Sequence, residues 1–162
     1  MSPVLALQAT TANDLETLVN MRITAMRDSL ERIGRFDPQR ARERFVASFA
    51  CERCQFICLD GQHVGFIQSQ AYSDHLLVQH LYVMPDFQGQ GIGEKALKPL
   101  IDRSTLEQLP IRLDALRGSD SNRFYRRLGF VQVSESEWDI HYLRPADPLR
   151  RESSRADLPE CQ

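Results

Sequence analysis

The chain has 162 residues, 42% of them hydrophobic, and a formal charge of −2. That length supports one core, with about 70% of the chain's surface buried on folding. The slight acidity excludes the basic footprint of a general nucleic-acid binder, and no apolar run approaches the ~20 residues needed to span a membrane as a helix.

The first residues, Met1-Ser2-Pro3-Val4-Leu5-Ala6-Leu7, have no basic segment and too short an apolar stretch for a signal peptide, so a cytoplasmic location is expected. A helix is expected to start at Thr11-Ala12-Asn13-Asp14, with Leu15, Leu18, Val19, Arg22, Ile23 and Met26 forming its buried stripe. A break at Gly34-Arg35-Phe36-Asp37-Pro38 precedes a second helix. There Asp37 is the expected N-cap and Pro38 the first helical residue, and Phe45, Val46 and Phe49 form the apolar face. Cys54–Leu59 and His63–Gln70 read as strands joined by Asp60-Gly61, a strong hairpin signal.

Cys51-Glu52-Arg53-Cys54 has metal-ligand spacing but lacks a second pair, so no metal is expected. Instead Cys54, Phe56 and Cys58 share one strand face as apolar residues. Leu76–Met84 is the expected central strand, ended by Pro85-Asp86. A helix follows from Gly91 to about Gln108, with Pro99 predicting a kink or an early break. Ile111–Leu116 is the next strand, Ser119–Leu128 the next helix, and Val131–Val133 with Trp138–Leu143 a closing hairpin. Residues 1–145 then form one domain, and 146–162, with prolines among charges and serines, form a flexible tail. This order predicts the α/β class: a mixed sheet with helices on both faces.

Gln88-Gly89-Gln90-Gly91-Ile92-Gly93, followed by Glu94, holds the strongest chemical signal. A strand, a glycine-dense turn and a helix start together make a phosphate site, because glycines allow close approach and helix N-terminal N–H groups point at the anion. The spacing lacks the last step of the dinucleotide fingerprint, and no Lys-Ser/Thr pair follows a glycine as in a Walker A loop.

The pattern Gln/Arg-x-x-Gly-x-Gly/Ala, met by Gln88, Gly91 and Gly93, resembles the pyrophosphate loop of the GNAT superfamily of N-acetyltransferases. About 25 residues on, Ile111–Leu116 and then Asn122-Arg123-Phe124-Tyr125-Arg126-Arg127-Leu128-Gly129-Phe130 are similar to that family's second half. The resemblance spans roughly residues 5 to 145. It implies splayed central strands, here Leu76–Met84 and Ile111–Leu116, whose backbone binds the arm of acetyl-CoA. It also implies transfer of an acetyl group from acetyl-CoA to an amine, and a homodimer as the family-level expectation.

Several residues acquire roles on the same footing. Gln88, Gly89, Gln90, Gly91, Ile92, Gly93 and Glu94 are expected to bind the cofactor's pyrophosphate. Leu81, Tyr82 and Val83 would meet the thioester end, a backbone donor there stabilising the carbonyl oxygen as it gains charge. Tyr125 matches the tyrosine that serves the departing thiolate, although an aromatic packed against Phe124 and Phe130 would share its spacing. The family's strand glutamate is replaced by Leu77. His80, with an intrinsic pKa suited to a base near neutral pH, is then the candidate general base, with proton removal through ordered water as the alternative. Asn122 is a candidate cofactor contact, because Ser119 occupies about the slot of the family's usual asparagine. A non-catalytic acyl-CoA-binding sensor of the same fold is the competing expectation, favoured by Leu77.

Overall fold

A computed structural model describes residues 3–146; the expected tail, 146–162, lies almost wholly outside them. In chain order the elements are β1 (Leu5–Ala9), α1 (Leu15–Arg32), α2 (Pro38–Ser48), β2 (Cys54–Leu59), β3 (Gln62–Ala71), β4 (Leu76–Val83), α3 (Ile92–Glu107), β5 (Ile111–Leu116), α4 (Ser121–Arg127), β6 (Val131–Glu135) and β7 (Asp139–Arg144). The strands form a seven-stranded mixed sheet with the order β1-β2-β3-β4-β5-β7-β6. The chain divides into two compact units, Met1–Gln70 with Val78–Pro99, and Ala71–Leu77 with Leu100–Gln162.

In the first unit, local chemistry sets most boundaries as expected. The Asp37 side chain accepts from Arg40 N at 3.2 Å, and Pro38 occupies the first turn of α2. Asp60 and Gly61 have φ of 50° and 81°, the paired positive values of a tight hairpin turn, and this joins β2 to β3. The core gathers Leu18, Val19 and Met21 of α1, Phe45 of α2, Cys54, Phe56 and Cys58 of β2, and Phe66 of β3. Cys54 behaves as an apolar residue there, since burial pushes its thiol up to about 12. The strand β1, which the sequence pattern does not announce, pairs antiparallel with β2 from Leu5–Leu59 to Ala9–Gln55.

The second unit is built on β5, which pairs with β7 over six residues, from Ile111–Arg144 to Leu116–Asp139. Its parallel ladder to β4 is short: Leu76 lies opposite Ile111 and Leu77 opposite Arg112, with Leu76 N donating to Pro110 O at 2.9 Å. Leu76, Ile111, Leu113, Phe130 and Tyr142 are buried. Of the kink or early break expected at Pro99, the early break does not occur: α3 continues through Pro99 to Glu107.

Candidate active site

The glycine loop belongs to the first unit. Met84 N donates to Val64 O at 2.8 Å, fixing the exit of β4 against β3, and a 3-10 turn over Pro85–Phe87 leads to Gln88. Gly89 and Gly91 both have φ of 77°, where a side chain costs about 1–2 kcal/mol. A Cβ at either position would meet nothing within 4 Å, so glycine serves the backbone path and not packing. Gln88 Nε2 donates to Val83 O at 2.9 Å and Gln90 Nε2 to Asp86 O at 3.4 Å, bracing the loop on its own backbone.

The first bond of α3 runs from Lys95 N to Gly91 O at 3.1 Å. The N–H groups of Ile92, Gly93 and Glu94 therefore precede the helical ladder. Ile92, Ala96 and Leu97 are buried and root the helix, while Gly89, Gln90, Gly91 and Glu94 are exposed. Such an exposed, glycine-shaped helix start is suited to a phosphate group.

Tyr125 and Asn122 belong to the second unit. Gly129, at φ of 93°, ends α4: Phe130 N donates to Tyr125 O and Gly129 N to Arg126 O, both at 3.1 Å. These are the two bonds of a Schellman cap, which explains the Leu-Gly-Phe sequence. At the other end, Asn122 Nδ2 donates to Leu116 O at 2.9 Å and Ser119 O at 3.0 Å. Asn122 Oδ1 accepts from the Tyr142 hydroxyl at 2.8 Å. Asn122 thus ties α4 to β5 and β7. The short helix is held at both ends, and Tyr125 lies on it, 6% exposed, with Phe124 and Phe130 edge-on at 5.2 and 5.4 Å.

Leu81, Tyr82 and Val83 are half-buried on β4, and His80, next to them, is buried. His80 Nε2 lies 2.8 Å from Ser48 Oγ at the end of α2, and its ring packs against Phe45 at 4.9 Å. A chain of polar groups that no sequence motif announces continues nearby. Fully buried Gln68 accepts from Ala50 N at 3.1 Å and donates to Ser48 O and Gln79 Oε1, both at 2.8 Å. Burial, and then the charge of Arg22, push the His80 ring down to about 4. His80 is therefore neutral at pH 7 and a weak base.

That shift has a measurable consequence for stability. The unfolded ring takes up its proton near pH 6.5, the folded ring only near 4. The unfolded state binds more protons in that window, so stability is lost as pH falls through it. Between pH 7.5 and 5 the loss due to His80 should be about 2 kcal/mol. Urea unfolding of wild type and His80→Gln at both pH values measures it; equal losses in the two proteins would contradict it.

Residues 52–132 match the family described as acetyltransferase (GNAT) domain. The chain belongs to the GNAT acetyltransferase family, which implies acyltransferase activity. Its fold is similar to that of the PaiA N-acetyltransferase from Thermoplasma acidophilum, solved in complex with coenzyme A. The two are 17% identical over 90% of this chain and 99% of that one, with a TM-score of 0.72. The ribosomal-protein-S18-alanine N-acetyltransferase from Escherichia coli is 18% identical over 89% of this chain and 95% of that one, with a TM-score of 0.65. An acetyltransferase from Thermus thermophilus is 18% identical over 88% of this chain and 97% of that one, with a TM-score of 0.68. No curated protein matches the chain.

Proposed function

We propose that the protein is an acetyl-CoA-dependent N-acetyltransferase acting on a primary amine of a small molecule, peptide or protein in the cytoplasm. What carries this reading is the occurrence, in one chain of the family, of the positive-φ glycine loop at the start of α3 and of the capped α4 helix bearing Tyr125. The loop Gln88–Gly93, with Glu94, would hold the pyrophosphate. The cofactor arm would bind strand backbone near Leu81, Tyr82 and Val83 of β4.

In the reaction the neutral amine nitrogen attacks the thioester carbon, a C–N bond forms, and the C–S bond breaks. An amine with a free pKa of about 10 must first lose a proton. With its ring held near pKa 4, His80 would accept a hydrogen bond on this route while ordered water carries the proton away. Tyr125 would supply a proton or hydrogen bond to the departing thiolate. Asn122 would act by holding the start of α4, through Leu116 and Ser119.

A non-catalytic acyl-CoA sensor is the second reading, favoured by Leu77 in the strand-glutamate position and by the weak basicity of His80. Calorimetric titration with acetyl-CoA, ATP and NAD, beside a CoA-release assay with an amine panel, separates the readings. Acetyl-CoA binding with turnover supports the enzyme, binding without turnover on any amine supports the sensor, and preference for ATP or NAD overturns both.

The loop has its own test. Gly91→Val should raise the Kd for acetyl-CoA about tenfold or more, because φ of 77° is strained for a β-branched residue and its Cβ would crowd the anion. Unchanged affinity in a folded variant would remove the loop from the site.

A further inference from the structure

The first unit contains a buried cation that the reaction above does not use. Arg22, on the apolar stripe of α1, is 9% exposed. Its guanidinium donates to two neutral oxygens: Nη1 to the Ala41 carbonyl of α2, and Nε to the Tyr82 hydroxyl of β4 at 3.3 Å. Among the described residues no carboxylate pairs with it, whereas the exposed Arg27, Arg42 and Arg103 each pair with a glutamate. A buried charge without a counter-charge is costly, and proteins normally pair such groups.

A buried ring nitrogen without a partner among the described residues lies on the same face. His80 and Tyr82, two apart on β4, point to one side, their rings 6.1 Å apart. His80 Nε2 is taken by Ser48, while its buried Nδ1 has no partner among the described residues. Arg22, Tyr82 and His80 thus gather a cation and unused polar capacity, with Phe45 packed on the His80 ring and Phe66 on the Tyr82 ring, beside the strand whose backbone is assigned the thioester.

We propose that Arg22, seated on Tyr82, receives a carboxylate carried by the amine acceptor, so that the substrate class is amino acids or acidic peptides rather than polyamines. The inference rests on the N-acetyltransferase reading. Guanidinium and carboxylate match in geometry and charge, and the low-dielectric surroundings strengthen the pair. The acceptor's anion would supply the counter-charge that Arg22 lacks among the described residues.

The test compares kcat/KM for free amino acids, their carboxamides, peptides with an acidic residue near the N-terminus, and diamines. Wild type should favour carboxylate-bearing acceptors over the matched carboxamides by about 10- to 100-fold, the value of a charged hydrogen bond. Arg22→Gln should bring that ratio close to one, and Tyr82→Phe should lower it in part. Melting curves and acetyl-CoA affinity establish that each variant is folded.

Which carboxylate is preferred, that of a free amino acid or of a peptide side chain, identifies the source. A wild-type ratio near one, a preference for diamines, or a ratio unchanged in folded Arg22→Gln would each overturn the inference while leaving the N-acetyltransferase standing. Turnover with no amine at all would overturn that reading and this inference with it. The wild-type ratio decides even if neither variant folds.

Discussion

Tyr125→Phe is expected to lower kcat by about 10²-fold while the affinity for acetyl-CoA stays nearly the same. Loss of a thiolate at neutral pH is assisted when a donor is already in place, and general-acid assistance contributes about 10²- to 10⁴-fold. The substitution removes only the hydroxyl, so the edge-on contacts with Phe124 and Phe130, and the Schellman bonds to the Tyr125 carbonyl, are retained. Stopped-flow CoA release with both proteins, under conditions where chemistry limits the rate, measures the effect. An unchanged kcat would remove Tyr125 from the reaction and leave it as a core aromatic of α4.

Gly65→Ala should cost about 3 kcal/mol of stability, a fall in Tm of about 10 °C. Gly65 sits in the buried run of β3, and a Cβ there would lie 2.2 Å from the Tyr82 carbonyl oxygen and 3.1 Å from Val83 Cα. Both atoms are backbone, so no rotamer change relieves the clash and one strand must move. The residues displaced are those of β4 assigned to the thioester and, through Tyr82, to Arg22. Activity should fall along with stability, and stabilising co-solvents should recover the fold more fully than the rate. Calorimetric melting of the variant checks this; a Tm within a degree or two of wild type would show that β3 and β4 part at no cost.

The parts of the fold legible in the sequence are those fixed by local chemistry. Asp37-Pro38 needs only its own side chain and ring to start α2, and Asp60-Gly61 only its backbone freedom to turn the hairpin. The glycine loop is legible for the same reason, since φ of 77° at Gly89 and Gly91 is a local demand. Gly129 is too, as the left-handed residue that closes α4.

What escaped the sequence depends on partners distant in the chain. β1 exists because Leu5–Ala9 adds an edge to β2 some fifty residues away, and no turn residue announces it. Pro99 fails to break α3: the helix is rooted at one end by Ile92, Ala96 and Leu97, and near the other fully buried Ser104 bonds the Leu109 carbonyl. At the candidate site, histidine's intrinsic pKa marks His80 as a base, but its surroundings on α1, α2 and β3 hold it neutral and weak. Arg22 was visible only as one member of a buried stripe. That its partners among the described residues are neutral becomes apparent once α1, α2 and β4 are in place.

The most direct test of the account is the transfer itself. The protein is incubated with acetyl-CoA and a panel of amino acids, acidic peptides and diamines, and the products are read by mass spectrometry alongside thiol release. The account predicts amine products heavier by one acetyl group, formed mole for mole with free CoA, above the rate without protein. Tight acetyl-CoA binding with no acetylated amine from any acceptor would contradict it and leave a sensor in place of an enzyme.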